Sequence, residues 1–272
     1  MLDILQYEFI QNAILAGILV SIAAGIIGSL IVVNRMVFLA GGMAHTAYGG
    51  IGLAVFFGFP IFLGASLFTI AAALIISAIT LKQKNNIDTI IGLIWAVGMA
   101  IGIILIDLTP GYNVDLMSYL FGSILAVSSN DILYISILLT IIIATVTLFY
   151  REILAVSYDS EYAALSGVNV KLFYTLILVL SALTVVIAIK VVGLILVIAL
   201  LTIPIYIGQK ISNSLAQMMI LSGILSSIFT LIGLYISYSY DITSGASIIL
   251  TSAVALLLYL VIEKSIKKLN EK

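Results

Sequence analysis

The chain has 272 residues, of which 63% are apolar and only 8% are charged. Soluble globular proteins carry roughly 25% charged residues, so a water-soluble globule is excluded. The 11 basic and 12 acidic side chains nearly cancel, and the sequence has no Lys/Arg-rich run of the kind that binds DNA or RNA. Because the mean hydropathy of +1.33 belongs to the whole chain, we expect one membrane domain, residues 1–272.

Charged and turn residues divide the chain into nine apolar runs, each long enough to cross a bilayer as a helix. These runs lie at about 13–33, 36–58, 61–81, 88–107, 132–150, 172–189, 191–208, 214–237 and 245–262. The pattern predicts an all-α, polytopic transmembrane bundle of about nine spans, with eight as the lower count. Pro204 near the end of the seventh run predicts a kink there, because proline removes one helical hydrogen bond.

The second run is rich in glycine, which predicts that another helix packs closely against it. Its glycines are Gly41, Gly42, Gly49, Gly50, Gly52 and Gly58, and the fourth run shows the feature more weakly at Gly98 and Gly102. Ordinary helix packing in a bundle explains this pattern without any further role.

Two long connections differ from the spans. The stretch at 109–131 is polar at its start and too short at its apolar end to cross, so we expect a half-buried or re-entrant segment around 116–127. The loop at about 151–171 contains no apolar run. It predicts a short surface helix with Asp159 or Ser160 near its N-cap.

The distribution of Lys and Arg predicts the orientation, because short cytoplasmic connections carry the excess of positive charge. Alternating the nine runs places ten of the eleven bases on one face and only Lys190 on the other. The N-terminus is therefore expected outside and the C-terminus in the cytoplasm. The ten bases are Arg35, Lys82, Lys84, Arg151, Lys171, Lys210, Lys264, Lys267, Lys268 and Lys272.

His45 is the single histidine of the chain and lies ten residues beyond Arg35 in the second run. At about 1.5 Å per helical residue it is expected roughly 15 Å from the cytoplasmic edge, close to the bilayer midplane. An ionisable side chain at that depth is a functional candidate, and imidazole is a common ligand of transition metals. The alternative is a histidine that only packs and donates a hydrogen bond to a neighbouring helix.

The outer face is acidic in this arrangement. Six acids fall there, Asp3, Glu8, Asp107, Asp115, Asp131 and Asp241. Asp107 ends the fourth run, Asp131 opens the fifth and Asp241 lies in the last outer loop. These three carboxylates, together with Asp115, are therefore candidates to surround one outer entrance and attract cations. Each is also explained as a solvated residue at a helix end.

No motif of an enzyme is present. The sequence has neither His-Glu-x-x-His, nor a phosphate-binding Gly-x-x-x-x-Gly-Lys, nor Gly-x-Ser-x-Gly, so neither catalysis nor a permanently bound cofactor is expected. Energy for transport must then come from an ion gradient or from a partner subunit.

The cytoplasmic segment Glu161-x-Ala163-x-x-x-Gly167 favours a partner subunit as the source of energy. It is one of several stretches whose order and spacing along the chain resemble those of a known family. The others are Arg35-Met36, 41–50 around His45, Asp115 to Gly122, Ser157 to Glu161, Val192 to Pro204, and Asp241 to Gly245. Together they resemble the integral-membrane permease of the metal-type ABC importer family, whose members carry manganese, zinc or iron. The fold expected from this resemblance is that of a type II ABC importer.

The resemblance implies a homodimer in the plasma (inner) membrane, surrounded by lipid, with a pore at the subunit interface. It also implies two cytoplasmic ATPase subunits, which bind ATP, and an external metal-binding protein that delivers a divalent metal ion as substrate. Asp159, Glu161, Ala163 and Gly167 match the coupling helix that docks on the ATPase, where alanine and glycine would allow close docking. His45 matches a histidine that lines the path.

The chain departs from the family pattern at two positions. Many relatives have an aspartate four residues before the histidine, where this chain has Gly41, and many have proline where it has Thr243. A His/Asp pair within one helix is therefore absent. The alternatives that stay open are an ABC importer of a metal chelate, such as a siderophore or cobalamin, a gradient-driven carrier, and a membrane scaffold.

Overall fold

The structure, a computed structural model, describes residues 6–81, 87–110, 122–194 and 197–270, and every regular element within these ranges is a helix. The elements are α1 (Glu8–Val33), α2 (Val37–Phe57), α3 (Ile61–Thr80), α4 (Ile87–Asp107), a 3₁₀ turn (Ile124–Ala126), α5 (Ser129–Leu148), α6 (Tyr150–Tyr158), α7 (Ser160–Leu165), α8 (Val170–Val192), α9 (Val197–Leu200), α10 (Ile203–Ile211), α11 (Leu215–Tyr240) and α12 (Ser244–Asn270). The predicted all-α class is confirmed.

Seven of the described helices are long and apolar enough to cross a membrane, namely α1, α3, α4, α5, α8, α11 and α12. Helix α2 has 21 residues, but its glycines lower its hydropathy and it is not among the seven. The expected count of eight to nine spans is therefore not confirmed.

The single helix predicted over 191–208 is wrong. Helix α8 ends at Val192, and Gly193 follows with φ of 84°, a backbone conformation that a helix cannot continue. After one isolated turn in α9, α10 starts with Pro204 in its first turn, where the missing N–H of proline costs nothing. Glycine and proline thus divide the apolar run, which hydropathy alone does not detect.

Helices α1 and α8 form the centre of the bundle. In their most apolar windows, 67% and 72% of the residues are buried, whereas only 22% are buried in α4 and in α12. Helix α1 packs against α5, α8 and α11, while α2 packs against α3, α4 and α8. The flanking helices α4 and α12 therefore leave wide apolar faces for lipid or for another subunit.

The predicted close packing of α2 is confirmed. A Cβ atom at Gly52 would lie 2.5 Å from the carbonyl oxygen of Gly102 on α4, closer than real Cβ atoms approach. At Gly50 the obstacle is the backbone of α3, at Gly64. The glycines thus bring the backbones of α3 and α4 against α2, as small residues do in membrane helices.

The helix ends gather in two groups, which we name after one feature of each. At the α7 end, Asn34 Nδ2 donates to Ser157 Oγ over 3.0 Å, and the ends of α1 and α3 meet the starts of α2, α4 and α8. At the Asp131 end, Ser129 Oγ donates to Glu8 Oε1 over 3.0 Å, and the α2–α3 connection lies close to Lys190.

Of the described bases, Arg35 lies in the α1–α2 connection, Arg151 in the first turn of α6 and Lys171 in the first turn of α8, all at the α7 end, and Lys190 lies at the Asp131 end. Lys82, Lys84 and Lys272 lie outside the described residues. For these four bases, the two ends of the bundle differ as the predicted orientation requires. Which end faces the cytoplasm stays a prediction.

The half-buried segment predicted around 116–127 is described only from residue 122 onward. There Ile124 is completely buried, and the 3₁₀ turn packs against α1, α8 and α12. The N–H of Ser123 donates to the carbonyl of Lys190 over 3.4 Å. The described part of this segment, residues 122–127, therefore packs into the bundle at the Asp131 end.

Candidate functional site

His45 lies on α2 in a cluster with two side chains of α4. Its ring stacks on the indole of Trp95, with centroids 4.0 Å apart and planes inclined by 12°. Its Nδ1 atom lies 3.2 Å from Sδ of Met99, and Trp95 Nε1 lies 3.1 Å from the same sulfur. All three side chains are half-buried, so the cluster is partly exposed at the surface of the chain.

The position of the cluster follows from the glycine packing. Because Gly98 and Gly102 bring α4 against α2, Trp95 and Met99, which are one helical turn apart, reach the His45 ring. His45 lies eight residues after the start of α2 at Val37, which is about 12 Å along the axis at 1.5 Å per residue. That this position is the bilayer midplane stays a prediction.

Ile198 occupies the space beside Gly41, one turn before His45. A Cβ atom at Gly41 would lie 2.6 Å from Ile198 Cδ1, so the isoleucine of α9 fills the volume that a side chain at position 41 would need. The candidate site consequently has no carboxylate on α2 near His45. Its nearest polar partner is the thioether of Met99.

Sequence reasoning did not identify Met99 and Trp95 as neighbours of His45. Their i, i+4 spacing on the fourth run was a usable signal, since both residues lie at a depth similar to that of His45. What the sequence lacked was the pairing of α2 with α4, which only the glycine contacts reveal.

The predicted outer acids differ in their local contacts. Asp131 is engaged locally, because Lys190 Nζ lies 3.4 Å from its Oδ2 and Ser128 forms a reciprocal capping box with it. Asp107 ends α4, and Asp241 follows α11 with φ of 52°. Asp115 lies outside the described residues.

Among the described residues, no group of three or more His, Cys, Asp or Glu side chains is placed to hold a metal ion. The metal roles of His45, Asp107, Asp131 and Asp241 stay predictions. A single imidazole falls short of the several protein ligands that structural metal sites use.

A cavity of about 730 Å³ opens at the Asp131 end between α2, α3, α5 and α8. Its walls are largely apolar, with Val55, Phe59 and Val186 among them, and the Asp131–Lys190 pair lies at its edge. His45 is not in its lining. The cavity therefore ends short of the His45 cluster.

The segment at the α7 end has the predicted short helix. Asp159 is the N-cap, and its Oδ1 accepts from the N–H groups of Glu161 and Tyr162 over 3.1 and 2.9 Å. Gly167 ends the segment with φ of 83°, and nothing lies within 4 Å of the position of its missing Cβ. Both termini of this helix are thus fixed by local contacts.

The two faces of α7 differ. Ala163 is completely buried against the rest of the protein, whereas Tyr162 is 63% and Leu165 is 89% exposed. Ala163 therefore provides close packing of α7 on its own chain and does not present its side chain to a partner. The surface open to a partner includes Glu161, Tyr162 and Leu165, with Tyr158 beside them, and the predicted Asp159 and Gly167 are exposed as well.

Residues 6–263 match the model of the ABC 3 transport family. The chain belongs to this family. The permease is 48% identical over 260 residues to an uncharacterised membrane protein of a Synechocystis strain, covering 96% of this chain and 92% of that protein. It is also 36% identical over 251 residues to the manganese transport system membrane protein MntC of Listeria monocytogenes, covering 92% and 89% of the two chains.

Solved structures agree with the family. One solved structure is that of PsaBC from Streptococcus pneumoniae in complex with Fab. The permease matches a chain of that structure with a TM-score of 0.86 and 33% identity, covering 94% of this chain and 93% of the other. An inward-facing metal-chelate type ABC transporter matches with a TM-score of 0.71 and 19% identity, over 93% of this chain and 85% of that one. The second likeness shows the fold alone.

The protein is thus an integral-membrane permease of the metal-type ABC importer family, as the resemblance in sequence predicted. Permease subunits of this family are not typically catalytic themselves. The exposed apolar helices of the bundle agree with a position in the membrane.

Proposed function

We propose that this permease passes a divalent transition-metal ion, manganese, zinc or iron, across the plasma membrane in an ATP-driven importer. The observation that carries the proposal is the family match over almost the whole chain. Manganese is named for relatives in Listeria monocytogenes and Streptococcus parasanguinis. The metal is substrate here and not a resident cofactor.

The His45 cluster supports a path at a dimer interface. The half-buried His45 ring lies at the surface beside Trp95, whose other neighbour, Phe38, is 46% exposed. A polar imidazole that faces lipid is costly. A second copy of the chain covering the α2–α4 face would remove His45 from lipid and bring two imidazoles towards one axis.

The α7 surface supports docking on a cytoplasmic ATPase. Large apolar side chains such as Leu165 and Tyr162 are exposed at the tip of a helix whose ends are capped, and exposed apolar patches mark interaction sites. A rigid helix transmits motion better than a flexible loop. ATP hydrolysis in the partner would then move α7 and, through it, the adjoining α6 and α8.

The distribution of bases supports an orientation with the α7 end in the cytoplasm. The Asp131 end then faces outside, where an external metal-binding protein would deliver the ion. This places the N-terminus outside and the C-terminus inside, and it puts the acids of the Asp131 end on the side from which cations arrive.

The proposal is tested by the metal content of cells. A strain that lacks this gene is grown in metal-limited medium, with or without the chain supplied from a plasmid, and manganese, zinc and iron are measured by mass spectrometry. We expect one of the three metals to fall in the deletion strain and to recover with the plasmid. Unchanged levels of all three, with the protein present in the membrane of the complemented strain, would contradict the proposal.

A metal-chelate importer is the second candidate, since the likeness to the chelate-type transporter is one of fold alone and does not decide between the two substrate classes. A chelator lowers the uptake of a free ion, because it binds the ion in solution. A chelate importer, in contrast, takes up the metal only in its chelated form. Adding a siderophore or cobalamin as the only metal source separates the two. A gradient-driven carrier is separated by removing the ATPase, which such a carrier does not need.

A further inference from the structure

Two ring nitrogen atoms lie within hydrogen-bond distance of the sulfur of Met99. The donor and acceptor chemistry of these groups determines which nitrogen atoms carry a proton. Trp95 Nε1 is 3.1 Å from Sδ. An indole N–H donates only, and a thioether sulfur accepts only. Trp95 therefore donates to Met99.

The same chemistry fixes the contact with His45. Its Nδ1 atom lies 3.2 Å from Sδ, and the thioether has no proton to give, so an attractive contact requires a proton on Nδ1. A neutral imidazole carries one N–H, so its other nitrogen, Nε2, then holds the lone pair. Within the described part of the chain, no hydrogen-bond partner of Nε2 is found.

We propose that Met99 is a positioning residue, which holds His45 in the Nδ1–H tautomer and so presents the Nε2 lone pair to a cation. Metal-binding histidines usually donate their second N–H to a carboxylate or carbonyl, and here a thioether takes that place. The stacked Trp95 ring, with a plane inclination of only 12°, fixes the orientation of the imidazole. Only the last step, cation binding, rests on the proposed function.

A different arrangement, in which Nδ1 and Sδ chelate the cation together, is disfavoured by the contacts. Trp95 Nε1–H donates to the sulfur, so a metal on Sδ would displace that hydrogen bond, and ligation through Nδ1 would require the opposite tautomer of His45. The Nε2 atom is free of such competition.

The experiment uses the fact that His45 is the only histidine in the chain. Protein labelled with ¹⁵N-histidine and placed in lipid bilayers gives a single imidazole in solid-state NMR, and the two nitrogen shifts report the tautomer. We expect Nδ1–H in the unmodified protein. Met99→Leu, which keeps the volume but removes the acceptor, should lose Nδ1–H as the majority form, and Met99→Gln should restore it through its side-chain oxygen.

Met219→Leu on α11 is the matched control, because it removes a thioether far from α4, and it should leave the spectrum unchanged. A majority of Nε2–H in the unmodified protein would overturn the inference. Retention of Nδ1–H in Met99→Leu would overturn it as well, since Met99 would then not select the tautomer.

Titration with Zn²⁺, a diamagnetic probe, separates this inference from the proposed function. We expect Zn²⁺ to shift the Nε2 signal. A shift of Nδ1 instead would establish the joint Nδ1 and sulfur chelate and overturn the positioning role. If the tautomer responds to Met99 as expected but Zn²⁺ moves neither signal, the positioning contact is supported, while the role of His45 in the proposed function is contradicted.

Discussion

Lys190 Nζ lies 3.4 Å from Asp131 Oδ2 and joins the end of α8 to the start of α5. Their side chains are only 24% and 18% exposed, so each charge is largely removed from water. Lys190, the base that the described residues place at the Asp131 end, is thus neutralised by an acid that the sequence assigned to cation attraction.

Asp131→Asn is expected to destabilise the protein by about 1–3 kcal/mol, because it leaves a half-buried lysine without its partner. The capping contacts with Ser128 can persist with an asparagine. Adding Lys190→Met should recover part of the loss, because no unpaired charge remains. Thermal unfolding of the purified protein, followed by size-exclusion chromatography, measures both effects.

The same pair of variants tests the role of Asp131 in uptake. If the carboxylate serves only its ion pair, the double variant should import metal nearly as well as the unmodified protein. Strong loss of uptake by a double variant of normal stability would instead assign the carboxylate to the ion path.

Gly52→Ala is expected to destabilise the permease, because its Cβ would lie 2.5 Å from the Gly102 carbonyl oxygen and must push α2 away from α4. Overpacking of this kind costs about 1–3 kcal/mol. Gly92→Ala on α4 is the control, since nothing lies within 4 Å of its new methyl group. The melting temperatures of the two variants in one detergent give the comparison, and equal values would contradict the packing argument.

Leu165→Asp is expected to abolish association with the ATPase, because it puts a charge at the most exposed apolar position of α7. The fold should be unaffected, since the side chain is 89% exposed. Tyr7→Asp, at the opposite end of the bundle and 57% exposed, is the control. Co-purification of the ATPase with each variant is the measurement, and equal recovery with Leu165→Asp would remove α7 from the docking surface.

Composition, hydropathy and charge were enough to predict the helical class and the position of α7, and they narrowed its N-cap to Asp159 or Ser160, because these features depend on local sequence and on short-range hydrogen bonds. They did not predict the break between α8 and α10. That region is uniformly apolar, and its division depends on the backbone at Gly193 and Pro204.

The site was predictable only in part, for a related reason. A lone histidine at membrane depth is visible in the sequence, but its contacts depend on which helix packs beside it. The glycines of α2 indicated close packing without naming α4, so Met99 stayed hidden. The pairing of Asp131 with Lys190 was hidden in the same way, since the two residues lie 59 positions apart in the sequence.

The most direct test of the central claim is the effect of His45→Ala on metal uptake. Initial uptake of manganese, zinc and iron is measured in cells that carry the unmodified or the altered permease, with the amount in the membrane determined for each. If His45 lies on the ion path, we expect uptake of the transported ion to fall at least about tenfold, equivalent to about 1.4 kcal/mol. Unchanged uptake with an equal amount of protein in the membrane would contradict the account.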